Sequence, residues 1–73
     1  MTAITYEEDQ TIDMQMVATF AAKAATLPLA TVRQAAVQLS RQARSTEHVA
    51  SSGRWVSKAT ERAMLGVLQA RLA

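Results

Sequence analysis

The sequence predicts an all-α protein, a small bundle of three helices, and three observations carry that prediction. Apolar and small residues recur at spacings of three and four, and no stretch alternates at a spacing of two. Two breaks, Pro28 and the run Ser51, Ser52, Gly53, divide the chain into segments of helix length. Alanine, the strongest helix former, supplies 15 of the 73 residues.

The first helix is expected over 6–26. Thr5 and Glu8 read as a capping box, and Glu7, Glu8 and Asp9 fall near the positive end of the helix dipole, where acids are favourable. Ile12, Met16, Phe20 and Ala24 follow at helical spacing, with Val17, Ala21 and Ala25 beside them. Pro28 ends this helix, because it pushes the residue before it out of the α region.

The second helix is expected over 29–51. Pro28 can open it at the first position, and Thr31 with Gln34 offers a second capping box. Val32, Ala36, Leu39, Ala43, Thr46 and Ala50 alternate spacings of four and three, a heptad-like seam built mainly of small residues. Gly53 supplies a C-terminal stop; if it only bends the chain, the second and third helices merge into one long helix.

The third helix is expected over 54–72, capped by Ser52 or, starting later, by Ser57. Val56, Ala59, Ala63, Val67 and Ala70 mark one face, widened by Trp55, Met64, Leu68 and Leu72. Gly66 inside the helix costs about 1 kcal/mol relative to Ala. Close approach of another backbone would offset that cost, and Ala59, Ala63, Gly66 and Ala70 together suit a tight helix crossing.

A chain of 73 residues holds one domain, 1–73, with a thin core. Alanine removes little apolar area from water, and the aromatic residues are Tyr6, Phe20 and Trp55 alone. Small domains usually gain their missing stability from a staple, a metal or a partner. The sequence has no cysteine and a single histidine, His48, so disulfides and a zinc site are excluded and no cofactor is expected. That points to a homodimer, with Val32, Ala36, Leu39, Ala43, Ala59, Ala63, Gly66 and Ala70 at the helix contacts between copies.

No catalytic constellation is present. Ser45 and His48 share a helical face, but no carboxylate is placed to orient the imidazole. Glu7, Glu8, Asp9 and Asp13 read as cap and dipole partners rather than an acid–base pair or a metal cluster. Gly53 and Gly66, the only glycines, form no phosphate loop. No run of apolar residues approaches the roughly 18 of a membrane span, and the acidic start is unlike a signal peptide, so a cytoplasmic protein is expected.

Charge carries the functional reading. Residues 1–26 hold Glu7, Glu8, Asp9 and Asp13 against Lys23, a net of −3; residues 27–73 hold seven cations against Glu47 and Glu61, a net of +5. Arg54, Lys58 and Arg62 recur every four residues on the third helix, and Arg41, Arg44 and His48 cluster on the second. Gln34, Gln38 and Gln42 form a polar row beside them. The chain is therefore expected to be a non-enzymatic interaction module, a small bacterial or phage regulator, inhibitor or adaptor. It would grip an acidic protein through Arg41, Arg44, Arg54, Lys58 and Arg62, with Trp55 as apolar anchor. The alternative is a dimeric DNA-binding regulator that sets the same cations on phosphates. A third reading is a structural subunit of a larger helical assembly. Met14, off the core line of its helix, is a further candidate contact.

Overall fold

The computed structural model describes residues 9–45 and 56–73. Three helices lie within them: α1 (Met14–Ala24), α2 (Leu29–Arg44) and α3 (Lys58–Leu72). Among the described residues there is no strand. The expected all-α class is the observed one. The capping box at Thr5, the residues Thr46 and Ala50, the pair partner His48, the stop at Gly53, and Arg54 and Trp55 lie outside the described residues.

The helix ends differ from the expected ones, and each difference has a local cause. The expected helix over 6–26 is interrupted: Asp9 and Gln10 are helical, Thr11–Asp13 is not, and α1 begins at Met14. Asp13 takes an extended backbone and caps α1, its Oδ1 accepting from the Met16 N–H at 3.0 Å. An acidic side chain that satisfies a free N–H of the first turn competes with continuing the helix through that point. Ile12, expected on the buried line, sits in this break and is 43% exposed.

At the far end of α1, turn bonds from Ala25, Thr26 and Leu27 to Ala21, Lys23 and Ala24 close the last carbonyls. Pro28 then stands immediately before α2, so the helix starts where its fixed φ permits and not at the Thr31 capping box. Instead of running to residue 51, α2 stops at Arg44, with Ser45 extended. The Ser45 N–H bonds both the Arg41 and Gln42 carbonyls at 3.1 Å, and Lys58 Nζ donates to the same Gln42 carbonyl at 2.9 Å. A carbonyl that a continuing helix would bond is thus taken by a side chain from another helix. On the third helix, Ser57 is the cap and Ser52 is not: α3 begins at Lys58.

The ends of α3 fix the arrangement. Its N-terminus meets the 11–13 break, and Arg71 near its C-terminus meets the C-terminal end of α1, so α1 and α3 run parallel. Lys58 meets the end of α2 while Val32, near the start of α2, shares a core cluster with Leu68, so α2 runs antiparallel to both. Helix α3 packs against each of the others, whereas α1 and α2 scarcely touch.

The core is small, as the alanine content implied. Ala24, Val32 and Leu68 form its buried centre, one residue from each helix, with Phe20, Leu27, Ala35, Ala36, Leu39, Val67 and Leu72 packed around them. Here the structure corrects the expected seam. Val32, Ala36 and Leu39 are engaged within the chain, against Leu68 and its neighbours, and are not free to form the contact between copies. Of the expected small-residue face on α3, Ala59 and Ala63 are half-buried while Gly66 and Ala70 are exposed. A Cβ placed on Gly66 would meet nothing within 4 Å among the described residues, so no close backbone approach there explains this glycine.

Candidate interaction surface

One of the residues expected to grip a partner, Lys58, turns inward, together with Glu61. Lys58 is 5% exposed and Glu61 1% exposed. Lys58 Nζ lies 3.0 Å from Glu61 Oε1, an ion pair, and donates to the Gln42 carbonyl. Neither Glu61 oxygen accepts a hydrogen bond among the described residues, where the lysine charge is the carboxylate's only partner. Lys58 therefore does not belong to a solvent-facing stripe with Arg62; its charge is spent on the C-terminal end of α2 and on Glu61. The cause lies in α3, whose buried line runs through Lys58, Glu61 and Leu68 and leaves Arg62, Gly66 and Ala70 on the outer side.

The other polar side chains near α3 are also structural. The Asp13 N–H donates to Thr60 Oγ1 at 2.9 Å, and Ser57 Oγ donates to the Thr11 carbonyl at 2.6 Å. The Ser57 and Thr60 hydroxyls lie 2.7 Å apart, and Thr60 Oγ1 also reaches the Thr11 carbonyl at 3.3 Å. The Thr60 N–H donates to Ser57 Oγ at 3.0 Å, closing the cap. Asp9 Oδ1 accepts from the Lys58 N–H at 2.8 Å, which adds a negative charge at the positive end of the α3 dipole. At the opposite end, Arg71 Nη1 donates to the Ala24 and Leu27 carbonyls, at 2.8 and 2.5 Å. Asp9 and Asp13 are thus cap partners, as expected of them, although Asp9 serves α3 rather than its own segment.

Exposed cations line the outer face of α2. Arg33, Val37, Arg41 and Arg44 are all exposed and fall at successive helical turns, forming one line about 16 Å long. Arg33 and Arg41 have no ion-pair partner among the described residues; Arg44 Nε bonds only the Ser40 carbonyl of its own helix, at 3.3 Å. Val37, in the middle of the line, is 49% exposed, and Leu29 at the start of the helix 51%. Gln34 and Gln38 lie beside the arginines. Of the cations expected on a binding face, Arg41, Arg44 and Arg62 are exposed, but Arg62 stands on α3, apart from the other two. Arg33 and Val37 were missed by the sequence reading. Continuing the seam of Val32, Ala36, Leu39 and Ala43 to the opposite side of the helix identifies them, since the face opposite a buried seam is the solvent face.

Beside this line, between α1 and α2 and floored by α3, lies a cleft of about 260 Å³. Phe20, Leu39 and Leu68 give it apolar walls, Ala35 adds a small one, and Gln38 and Gln42 supply its polar part. Gln38 also borders the arginine face, so cleft and face are continuous. The volume is below the roughly 300–1,000 Å³ of small-molecule sites and suits one or two side chains.

Among the described residues no group of His, Cys, Asp or Glu could hold a metal ion, and no helix is long and apolar enough to cross a membrane. Comparison of the chain with protein-family models, with curated proteins and with solved structures gives no match.

Proposed function

We propose that this chain is a non-enzymatic interaction module, a small regulator, inhibitor or adaptor that docks on an acidic surface of another protein through the outer face of α2. The observation that carries the reading is the line of Arg33, Val37, Arg41 and Arg44: exposed cations in register around an exposed aliphatic side chain. Arginine is favoured at protein interfaces because its planar guanidinium pairs two-pronged with carboxylates. An aliphatic residue among the cations gains from burial against protein and gains nothing from a phosphate backbone. For that reason protein is preferred to duplex DNA as the partner.

Titration with a mixed-sequence DNA duplex at low and at high salt tests the choice. The expected result is weak binding at low salt that is gone at physiological salt. Tight binding with a steep salt slope, abolished by changing Arg33, Arg41 and Arg44 to Ala, would establish the nucleic-acid reading instead.

Assembly with a second copy belongs to the same proposal in narrowed form. With Val32, Ala36 and Leu39 occupied within the chain, the open side of α3 at Gly66 and Ala70 is where a second copy would pack. Sedimentation at high micromolar concentration decides it, since a compact monomer there removes the dimer. A cytoplasmic protein of bacterial or phage origin is the setting this proposal assumes.

A further inference from the structure

We infer that the partner presents an amphipathic, acidic helix, and that this helix lies along α2 with a leucine-class side chain seated in the cleft between Phe20, Leu39 and Leu68. The inference rests on the reading that the α2 face binds protein, and it adds what the bound segment must look like.

Shape comes first. Helices α1 and α2 both pack on α3 and scarcely touch one another, so the side of α3 between them is the position a fourth helix takes in a bundle. The cleft there is apolar at its walls, too small for a drug-sized ligand, and sized for a side chain. Recognition of a helix by an apolar groove works through such anchors, spaced a turn apart along the bound helix.

Charge then selects the occupant. The described carboxylates are all committed: Asp9 and Asp13 accept backbone hydrogen bonds and Glu61 is buried against Lys58. Arg33 and Arg41 stand exposed without a carboxylate, and Gln38 joins them to the cleft. Pairing α2 with α2 of a second copy would set arginine against arginine, because a two-fold contact repeats the same patch on both sides. No described carboxylate of this chain is left to pair with them, which favours an acidic helix of a different chain as the occupant. Such a helix would carry Glu or Asp on the side that meets the arginines and a leucine on the side that meets the cleft.

The test uses the full chain and a synthetic, blocked, fluorescein-labelled helical peptide. The peptide is built of Glu, Ala and Gln, with two leucines one turn apart on the face adjoining its glutamates. Three comparisons are read by fluorescence anisotropy. Replacing both leucines by Ala is expected to weaken binding at least tenfold. Changing Arg33, Arg41 and Arg44 together to Ala is expected to weaken it at least tenfold and to flatten its salt dependence. Changing Gln38 to Glu, an exposed position that should not disturb folding, is expected to weaken it severalfold by placing a like charge at the mouth of the cleft.

If the leucine-free peptide binds as well as the parent while the arginine variant loses binding, the cleft is not the receptor. This inference then fails while the basic-face reading stands. If the arginine variant binds as well as the wild type, or if the parent peptide does not bind at low salt, both fail.

Discussion

Lys58 and Glu61 form an ion pair held almost wholly out of water. A buried lysine–glutamate pair is a poor source of net stability, but removing one member leaves a charge without solvent or partner. Lys58→Ala should therefore destabilise the protein by roughly 3–5 kcal/mol, read as a fall in the urea midpoint, enough to unfold most marginal domains of this size. Replacing both, with Lys58→Met and Glu61→Leu together, should recover most of that loss, since matched apolar side chains commonly substitute for a buried pair at little cost. A double variant no more stable than the single one would show that the Gln42 contact, not the pairing, is what matters. Ser57→Ala removes the α3 cap and the 2.6 Å bond to the Thr11 carbonyl, and should cost about 1 kcal/mol. Gly66→Ala works in the other direction: with open space at the Cβ, thermal melting should rise by roughly 4–8 °C, the shift expected for about 1 kcal/mol in a chain of this length. A fall in melting temperature that deepens with protein concentration would instead reveal a neighbouring helix from a second copy.

The existence and order of the helices are legible from spacing and breakers alone, and Pro28 places the start of α2 correctly. What sequence spacing could not supply is the long-range bonding that trims each helix. The break before α1 depends on Asp13 and on hydroxyls that arrive from α3, 46 and more residues away in sequence. The end of α2 depends on Lys58. The inward face of α3 is misjudged for a related reason: Lys58 and Glu61 read as solvent-facing in any hydropathy pattern, and charged residues seldom occupy a buried line unless paired. Arg41 and Arg44 were identifiable as exposed cations, whereas their alignment with Arg33 and Val37 needed the seam opposite them to be assigned first. The resulting division of labour can be tested at this scale. Cations on α3 that cap other helices are structural, so Arg71→Ala should lower stability by about 1–2 kcal/mol through the loss of its bonds to the Ala24 and Leu27 carbonyls. The combined change of Arg33, Arg41 and Arg44 to Ala should move it by no more than about 0.5 kcal/mol, because among the described residues those side chains bond no other element. Chemical denaturation of the two variants side by side checks both.

Across the whole molecule, α3 is the member that holds the others: it bonds the 11–13 break and Asp9 at one end, the end of α1 at the other, and the end of α2 through Lys58. Its polar groups are consumed in doing so, and Arg62 is left isolated on its outer side. The first two helices, held apart on this support, leave an apolar cleft between them and an arginine line alongside it. Function in this account belongs to α2 and the cleft, and stability to α3. Amide chemical-shift mapping with the leucine-bearing acidic peptide tests that division most directly. The account predicts shifts concentrated at Arg33, Gln38, Leu39, Gln42 and Arg41 on α2, with Phe20 and Leu68 across the cleft, while Arg62, Gly66 and Ala70 stay unmoved. Shifts centred on Arg62, Gly66 and Ala70, with α2 silent, would contradict it.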